Sequence, residues 1–365
     1  APLLAAHLGV EVKKHLFNKK YNSNNSSLVK KRSSLDLSKP RDILDKIKYK
    51  KNALTYIDLF SGAGGFSIGL ASAGMKSLLS ADFNEEVKET HEFNYCNHDY
   101  VHGDLSDTNV KKEVLSKLKG KKVNVLVGGP PCQGFSIFGK RRFINTKNYD
   151  PKTDPRNKLV FTFFEYVEAL KPDWFIMENV AGFKSLDGGN FVIKLEEYVR
   201  KLGYKNYDFR VINTADYGIP QKRKRFLLIG NKTGHLIPWP KPKYFEEPKD
   251  WQLPMRTVGE VITDLSEPDS KEFVANHEPM NHSEEIKERY SYVEEGKKMD
   301  IDKLPEKLKY AKFTGQKIKN FSHVYRRLSR KEPSITLVPG HNAFPIHPFL
   351  NRLITTREAA RIQKF

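Results

Sequence analysis

At 365 residues, with a formal charge of +19 and a pI near 9.6, the chain has room for about two domains, and its charge points to a polyanionic partner. Its two cysteines, Cys96 and Cys132, share no regular spacing, which excludes a disulfide framework or a zinc cluster and fits a reducing cytoplasm. No apolar run approaches about 18 residues, which excludes a membrane-spanning helix. In the apolar opening APLLAAHLGVEV the lysines follow rather than precede, unlike a secretory signal.

Residues 1–14 read as a short amphipathic helix and 15–52 as a basic, flexible linker. Residues 13–52 hold thirteen Lys and Arg against three Asp, so ten of the nineteen net charges lie there, beside the polar run SNNSS. A solvated tether is favoured over a DNA clamp. Residues 54–70, LTYIDLFSGAGGFSIGL, combine an apolar strand, a glycine-rich turn and a helix start. Gly62, Gly64 and Gly65 let the backbone approach a ligand, and the helix N-terminus favours negative charge. A second strand, Ser77–Ala81, ends in Asp82-Phe83. An acid about 20 residues after the glycine turn is placed for ribose hydroxyls. A third segment ends in Gly103-Asp104-Leu105, and the apolar run Val123–Val127 leads into GGPPCQGFS at 128–136.

Pro130 and Pro131 stop that strand and fix the turn before Cys132. By position alone the cysteine is equally a buried structural thiol and a reacting group at a strand's carboxyl end. Helical segments at Asn157–Leu170 and Phe191–Leu202 flank a strand, Asp173–Met177, that runs into Glu178-Asn179-Val180. Gln221-Lys222-Arg223-Lys224-Arg225 precedes a further strand, Phe226–Gly230. The alternation predicts an α/β fold over 53–230, a doubly wound, mostly parallel, Rossmann-like sheet. From 231 to 351 the alternation fails, which predicts a smaller, irregular second domain, and helical periodicity returns at 352–365.

In this order, DLFSGAGG, ADF, GDL, GPPCQGFS, ENV, QKRKR and RLITTREAARIQ resemble the C5-cytosine DNA methyltransferase family, over most of 54–365. The resemblance implies an S-adenosylmethionine-dependent enzyme, without metal, that methylates C5 of a cytosine flipped out of duplex DNA. It implies Cys132 as the nucleophile that adds to C6, making the ring an enamine. Glu178 would bond or protonate N3, against the alternative of an acid at a helix start. Arg223 and Arg225, expected to leave one face of a strand entry, would hold the cytosine O2 and either a phosphate or Glu178. Asp82 would take the ribose diol, Phe83 cover the adenine and Asp104 accept its amino group, with Leu105 alongside. Phe60, Gly62, Ala63, Gly64 and Gly65 would line the cofactor, and Pro131 and Leu159 would complete its apolar contacts. Phe60 and Leu159 serve equally as core residues.

Ser136 and Lys140-Arg141-Arg142, in the loop after the cysteine, would meet DNA phosphates. SITLV at 334–338 resembles the Thr-Leu signature of the family's target-recognition domain, so Thr336, His341 and Asn342 are expected at the DNA. The residue 352–365 helix would return to the catalytic domain. The expected setting is a monomer on duplex DNA in a bacterial cytoplasm, nucleoid-associated, either solitary or paired with a cognate restriction endonuclease. An RNA (tRNA) cytosine-5 methyltransferase is the alternative, opposed by the long 231–351 region. A catalytically silent DNA-binding regulator is opposed by the intact Cys132 and Glu178. The family's usual closing block, GNxV-P-xL and a helix, does not follow Phe365, whereas Ala1–Val12 looks like its second half moved to the front. A circular permutation is therefore expected, with residues 1–12 packed beside 54–60 and Ala1 near Phe365.

Overall fold

Strands and helices alternate over residues 55–213 in the computed structural model, which describes Leu44 and residues 47–131, 158–265, 274–309, 325–338 and 344–365. Strand β1 (Thr55–Leu59) leads to α1 (Gly65–Ser72), β2 (Lys76–Asp82) to α2 (Glu85–Asn94), and β3 (Tyr100–His102) to α3 (Thr108–Lys117). Asn84 and Asp107 start α2 and α3 by accepting two backbone N–H bonds each, which satisfies donors that the helices leave orphaned. There follow β4 (Val125–Gly128), α4 (Leu159–Leu170), β5 (Trp174–Val180), α5 (Asn190–Lys201), β6 (Asn206–Asn213) and β7 (Lys224–Asn231).

The seven strands form one sheet in the order β3-β2-β1-β4-β5-β7-β6. Pairs from β3 through β5 are parallel, and β7 runs antiparallel to β5. The strand order reverses between β1 and β4, and the crevice beyond their carboxyl ends is where such sheets bind ligands. All of β4 and the first four residues of β5 are buried, as expected of strands covered on both faces. Leu59, Leu126, Phe163, Phe164, Phe175, Met177 and Phe226 belong to the same core. Gly128 closes the β1–β4 contact: a Cβ there would lie 2.5 Å from the Leu59 carbonyl and 2.9 Å from Phe163.

Two strands are longer than their apolar runs. β5 continues through Glu178-Asn179-Val180, and β7 begins at Lys224, because these residues pair with one another: Glu178 with Leu227, Asn179 with Phe226 and Val180 with Arg225. The polar ends are held in extended form by a partner strand, which no local apolar pattern records.

The chain divides into two compact units, Ala1–Ile212 with Lys224–Lys241, and Asn213–Arg223 with Pro242–Phe365. The second contains β8 (Tyr244–Phe245), β9 (Leu253–Pro254), α6 (Gly259–Ile262), α7 (Glu284–Ser291) and α8 (Thr356–Ile362). Ala359 and Ile362 of α8 pack with Val258, Ile262, Leu328 and Leu337 in this unit's core. Thr355 and Glu358 cap α8 reciprocally, and the buried Glu358 carboxylate receives both terminal nitrogens of Arg352 at 2.9 and 2.8 Å. Arg327, also buried, donates to the carbonyls of Tyr290, Val293, His347 and Leu350 and to Asn351 Oδ1, drawing irregular chain around one guanidinium.

His347 beside this cluster is 3 % exposed, and its pKa is pushed down to about 4. Burial is the main cause and Arg352, Arg327 and His277 add to it, against the Glu358 carboxylate 3.5 Å away. The unfolded chain therefore binds a proton between about pH 4 and 6.5 that the folded chain refuses, so this residue makes stability rise with pH across that window. Acidification from pH 7 to 5 should cost about 2 kcal/mol through His347. Urea denaturation at both pH values should show His347→Asn losing less on acidification than the wild type; an identical loss would contradict this account.

Candidate active site

The turn leaving β1 is built from left-handed backbone. Phe60, Gly62 and Gly64 have φ of 55°, 49° and 79°. A phenylalanine in that region costs about 1–2 kcal/mol, so the surroundings must hold it there. Ser61 N donates to the Ala81 carbonyl at 3.1 Å, and Gly62 N donates to Asp82 Oδ2 at 2.9 Å. Asp82 Oδ1 accepts from Asn84 N at 3.1 Å, so the carboxylate at the end of β2 is oriented by two amides. Ala63 is exposed, and Gly65 opens α1.

The other residues expected at a cofactor follow β2 (Phe83), β3 (Asp104 and Leu105) and β4 (Pro131) or open α4 (Leu159). Phe83 is 66 % exposed, so its ring face is open to a ligand. Asp104 is exposed, and its Oδ1 accepts from Ser106 N and Oγ at 2.8 and 2.7 Å. Leu105 is buried, with its carbonyl taken by the Tyr166 hydroxyl, while Phe60, Pro131 and Leu159 are half-buried. Oriented carboxylate, exposed ring and close-approach backbone suit a nucleoside: a diol, a flat base and its amino group. Among the described residues no cluster of three His, Cys, Asp or Glu forms a metal site.

Asp58, which the apolar reading of β1 passed over, lies fully buried beneath α1. Its Oδ2 accepts from Ser67 N at 3.1 Å and Ser67 Oγ at 2.8 Å. Burial pushes its pKa up to about 8 against those two hydrogen bonds, with the Asp82 charge adding to the rise. A charged letter inside an apolar strand was the available signal.

At the end of β5, Glu178 Oε1 meets Arg225 Nε at 2.7 Å, with both side chains mostly shielded. A Cβ placed on Gly129 would lie 3.4 Å from Glu178 Oε2, so the second oxygen lies beside the segment leading to Pro130 and Pro131. Asn179, buried, donates from Nδ2 to the Pro130 carbonyl at 3.1 Å and accepts from Val180 N. The β5 end and the double-proline segment are thus tied by a side chain to which the motif reading gave no role. Arg225 stands in β7; Arg223 precedes the strand, belongs to the second unit and accepts there from Thr214 N at 3.0 Å.

Also in the second unit, Thr336 Oγ1 donates to the Lys222 carbonyl at 2.9 Å. Lys222 N donates to Ser334 O and Ser334 N to Pro220 O, both at 2.8 Å, so SITLV runs beside QKR as a parallel bridge. Cys132, Ser136, Lys140, Arg141, Arg142, His341 and Asn342 lie outside the described residues, as do residues 1–12.

Residues 54–365 match the family described as C-5 cytosine-specific DNA methylase. The chain is 37 % identical over 317 residues to the Type II methyltransferase M1.HphI of Haemophilus parahaemolyticus, covering 86 % of this chain and 78 % of that protein. It is 30 % identical over 344 residues to the Type II methyltransferase M.DdeI of Desulfomicrobium norvegicum, with the same two coverages, 86 % and 78 %. Its fold is like that of an Escherichia coli protein described as a DNA modification methyltransferase encoded within a prophage. There the TM-score is 0.61 at 24 % identity, over 85 % of this chain and 88 % of that one.

Two glycines should respond differently to an added methyl. At Gly64 a Cβ would lie 2.4 Å from the Tyr95 hydroxyl, the far end of a side chain, while at Gly128 it would meet a backbone carbonyl that cannot swing away. Gly64→Ala should cost about 1–2 kcal/mol from its left-handed φ and more from displacing Tyr95; Gly128→Ala should cost about 3 kcal/mol or more. Chemical denaturation of both variants checks this, and a fully stable Gly128→Ala would contradict the described β1–β4 approach.

Proposed function

Because the chain belongs to the C-5 cytosine-specific DNA methylase family, we propose that it transfers a methyl group from S-adenosylmethionine to C5 of a flipped-out cytosine in duplex DNA. The observation that carries this reading is the Glu178–Arg225 pair beside the Gly129–Pro131 segment, which precedes Cys132 in the sequence. Asp82, Phe83 and Asp104 fit the ribose, adenine face and adenine amino group of that cofactor, and the 60–65 turn fits its methionine side. The bound cofactor supplies an electrophilic methyl on a sulfonium.

The chain's own residues make the base receptive. The Cys132 thiolate adds its electron pair to C6, and the ring π electrons move toward C5 and N3. Glu178 donates a hydrogen bond or proton at N3, which drains charge as the thiolate adds. Arg225 holds Glu178 Oε1 and so fixes where the other oxygen points; Arg223 is assigned to the cytosine O2 or the neighbouring phosphate. The C5 electron pair then takes the methyl, its bond to the sulfonium sulfur breaking with the pair left on that sulfur as a neutral thioether. Loss of the C5 proton to a base, with any N3 proton returned to Glu178, restores the double bond and expels the thiolate from C6. Ser136 and Lys140-Arg141-Arg142 are assigned to phosphates, and Thr336, His341 and Asn342 to target recognition. The relatives' Type II naming supports a restriction–modification setting; action as a monomer on nucleoid DNA beside a cognate endonuclease is part of the same proposal.

Incubation with labelled S-adenosylmethionine should transfer label to duplex DNA and not to tRNA; the reverse result would reassign the substrate. Cys132→Ala should abolish transfer while cofactor binding persists, and the wild type should form a covalent adduct with duplexes containing 5-fluorocytosine. Glu178→Gln should slow transfer by about 10²–10⁴-fold. Exchange of residues 340–344 should change which sites are methylated at unchanged cofactor affinity.

A further inference from the structure

The strained turn after β1 has two carbonyls that nothing in its own strand or helix satisfies. Backbone acceptors removed from water need partners, and a turn with alternating left-handed residues turns successive peptide groups away from regular pairing. Both partners come from one helix face. His91 Nε2 lies 3.0 Å from the Gly62 carbonyl, and the Tyr95 hydroxyl donates to the Ala63 carbonyl at 3.1 Å. The two residues are four apart, on α2 and at its C-cap, and so project from the same side of the helix.

The chemistry of this contact is fixed by its acceptor. A carbonyl oxygen cannot donate, so Nε2 carries the hydrogen, with Ser61 Oγ as a second neighbour at 3.3 Å. His91 is 3 % exposed, stacks on Tyr100 and lies against the tilted ring of Tyr95, with ring centroids 4.6 and 4.8 Å away. Burial holds its pKa below the usual histidine value, against the pull of the Gly62 carbonyl and the Asp82 charge, so the ring is neutral at neutral pH. Tyr95 is buried too, and its hydroxyl fills the space that a side chain at residue 64 would need. The opposite side of the turn is held by the Asp82 carboxylate on Gly62 N. Residue 62 is therefore gripped through both its N–H and its C=O.

We propose that His91 and Tyr95 are positioning residues for the cofactor, and that they hold the Gly62 and Ala63 carbonyls so that the turn is organised before S-adenosylmethionine arrives. This rests on the assignment of the 60–65 turn to that cofactor. Neither side chain touches the reacting atoms. Their contribution is to remove the ordering cost that a loose, strained turn would charge against binding. The effect falls on cofactor affinity and leaves the methyl-transfer step, once the site is filled, as it was.

Calorimetric titration of the full chain with S-adenosylmethionine, together with KM and kcat, tests this on His91→Leu, His91→Gln and Tyr95→Phe. His91→Leu removes the donor and should raise the dissociation constant and the KM for the cofactor about tenfold, with kcat at saturation within about twofold of wild type. His91→Gln can present an N–H to the same carbonyl and should recover most of the affinity. Tyr95→Phe keeps the ring and loses only the hydroxyl, and should weaken binding about three- to tenfold. If His91→Leu does not fold, the other two decide: wild-type affinity in Tyr95→Phe, or no binding in a folded His91→Gln, overturns the proposal. A folded His91→Leu that binds as the wild type does overturns it directly. A wild-type protein that does not bind S-adenosylmethionine would overturn the functional assignment itself, which separates the two failures.

Discussion

Leaving β1, the backbone passes through three left-handed residues within five positions, and such a path persists only where the surroundings over-determine it. Here the restraints come from three elements: Ala81 and Asp82 at the end of β2, Asn84 through its grip on the same carboxylate, and His91 and Tyr95 from α2. The parallel pairing of β1 with β2 sets Leu59 beside Ala81, which brings the turn within reach of Asp82. One register thus decides where the turn sits and which carboxylate receives its amide. The exposed Phe83 and Asp104 follow at the ends of β2 and β3 because these strands continue the same parallel order.

The second constraint is the reversal of β7. In a wholly parallel sheet the start of β7 would lie at the opposite end from Glu178. Running antiparallel to β5, it places Arg225 opposite Val180 and Leu227 opposite Glu178, so Arg225 reaches Glu178 on the diagonal. Asn179 then joins the β5 end to Pro130. Carboxylate, guanidinium and double-proline segment are held through neighbouring strands of one sheet, which is how rigid elements fix reactive geometry within a fraction of an ångström.

The second unit achieves order without long strands. A single buried arginine, Arg327, replaces the ladder that irregular chain lacks by donating to four carbonyls and one side-chain amide oxygen. Glu358, held by Arg352 and by the amide of Thr355, does the same for the entry to α8. Buried charges of this kind are stable only because their hydrogen-bonding capacity is used, and each ties segments distant in sequence.

The sequence by itself determined the order of six of the seven sheet strands, all but β6, with the glycine turn, the acid at the end of β2 and the family, because these depend on local chemistry: apolar runs, residues that permit left-handed backbone, and motifs of fixed spacing. The same local reading placed Glu178 just past a strand and Arg225 just before one. Only tertiary structure put both inside strands, since their extended conformation comes from pairing with each other's strand across about 50 residues of chain. Tertiary structure also decided that Asp58, a charged residue in an apolar strand, is buried with a raised pKa, and that His91 and Tyr95 serve the turn 29 and 32 residues before them. Whether a polar side chain is solvated or gripped depends on which distant groups surround it. That is set when the sheet and its helices close around it, and periodicity along the chain carries no record of it.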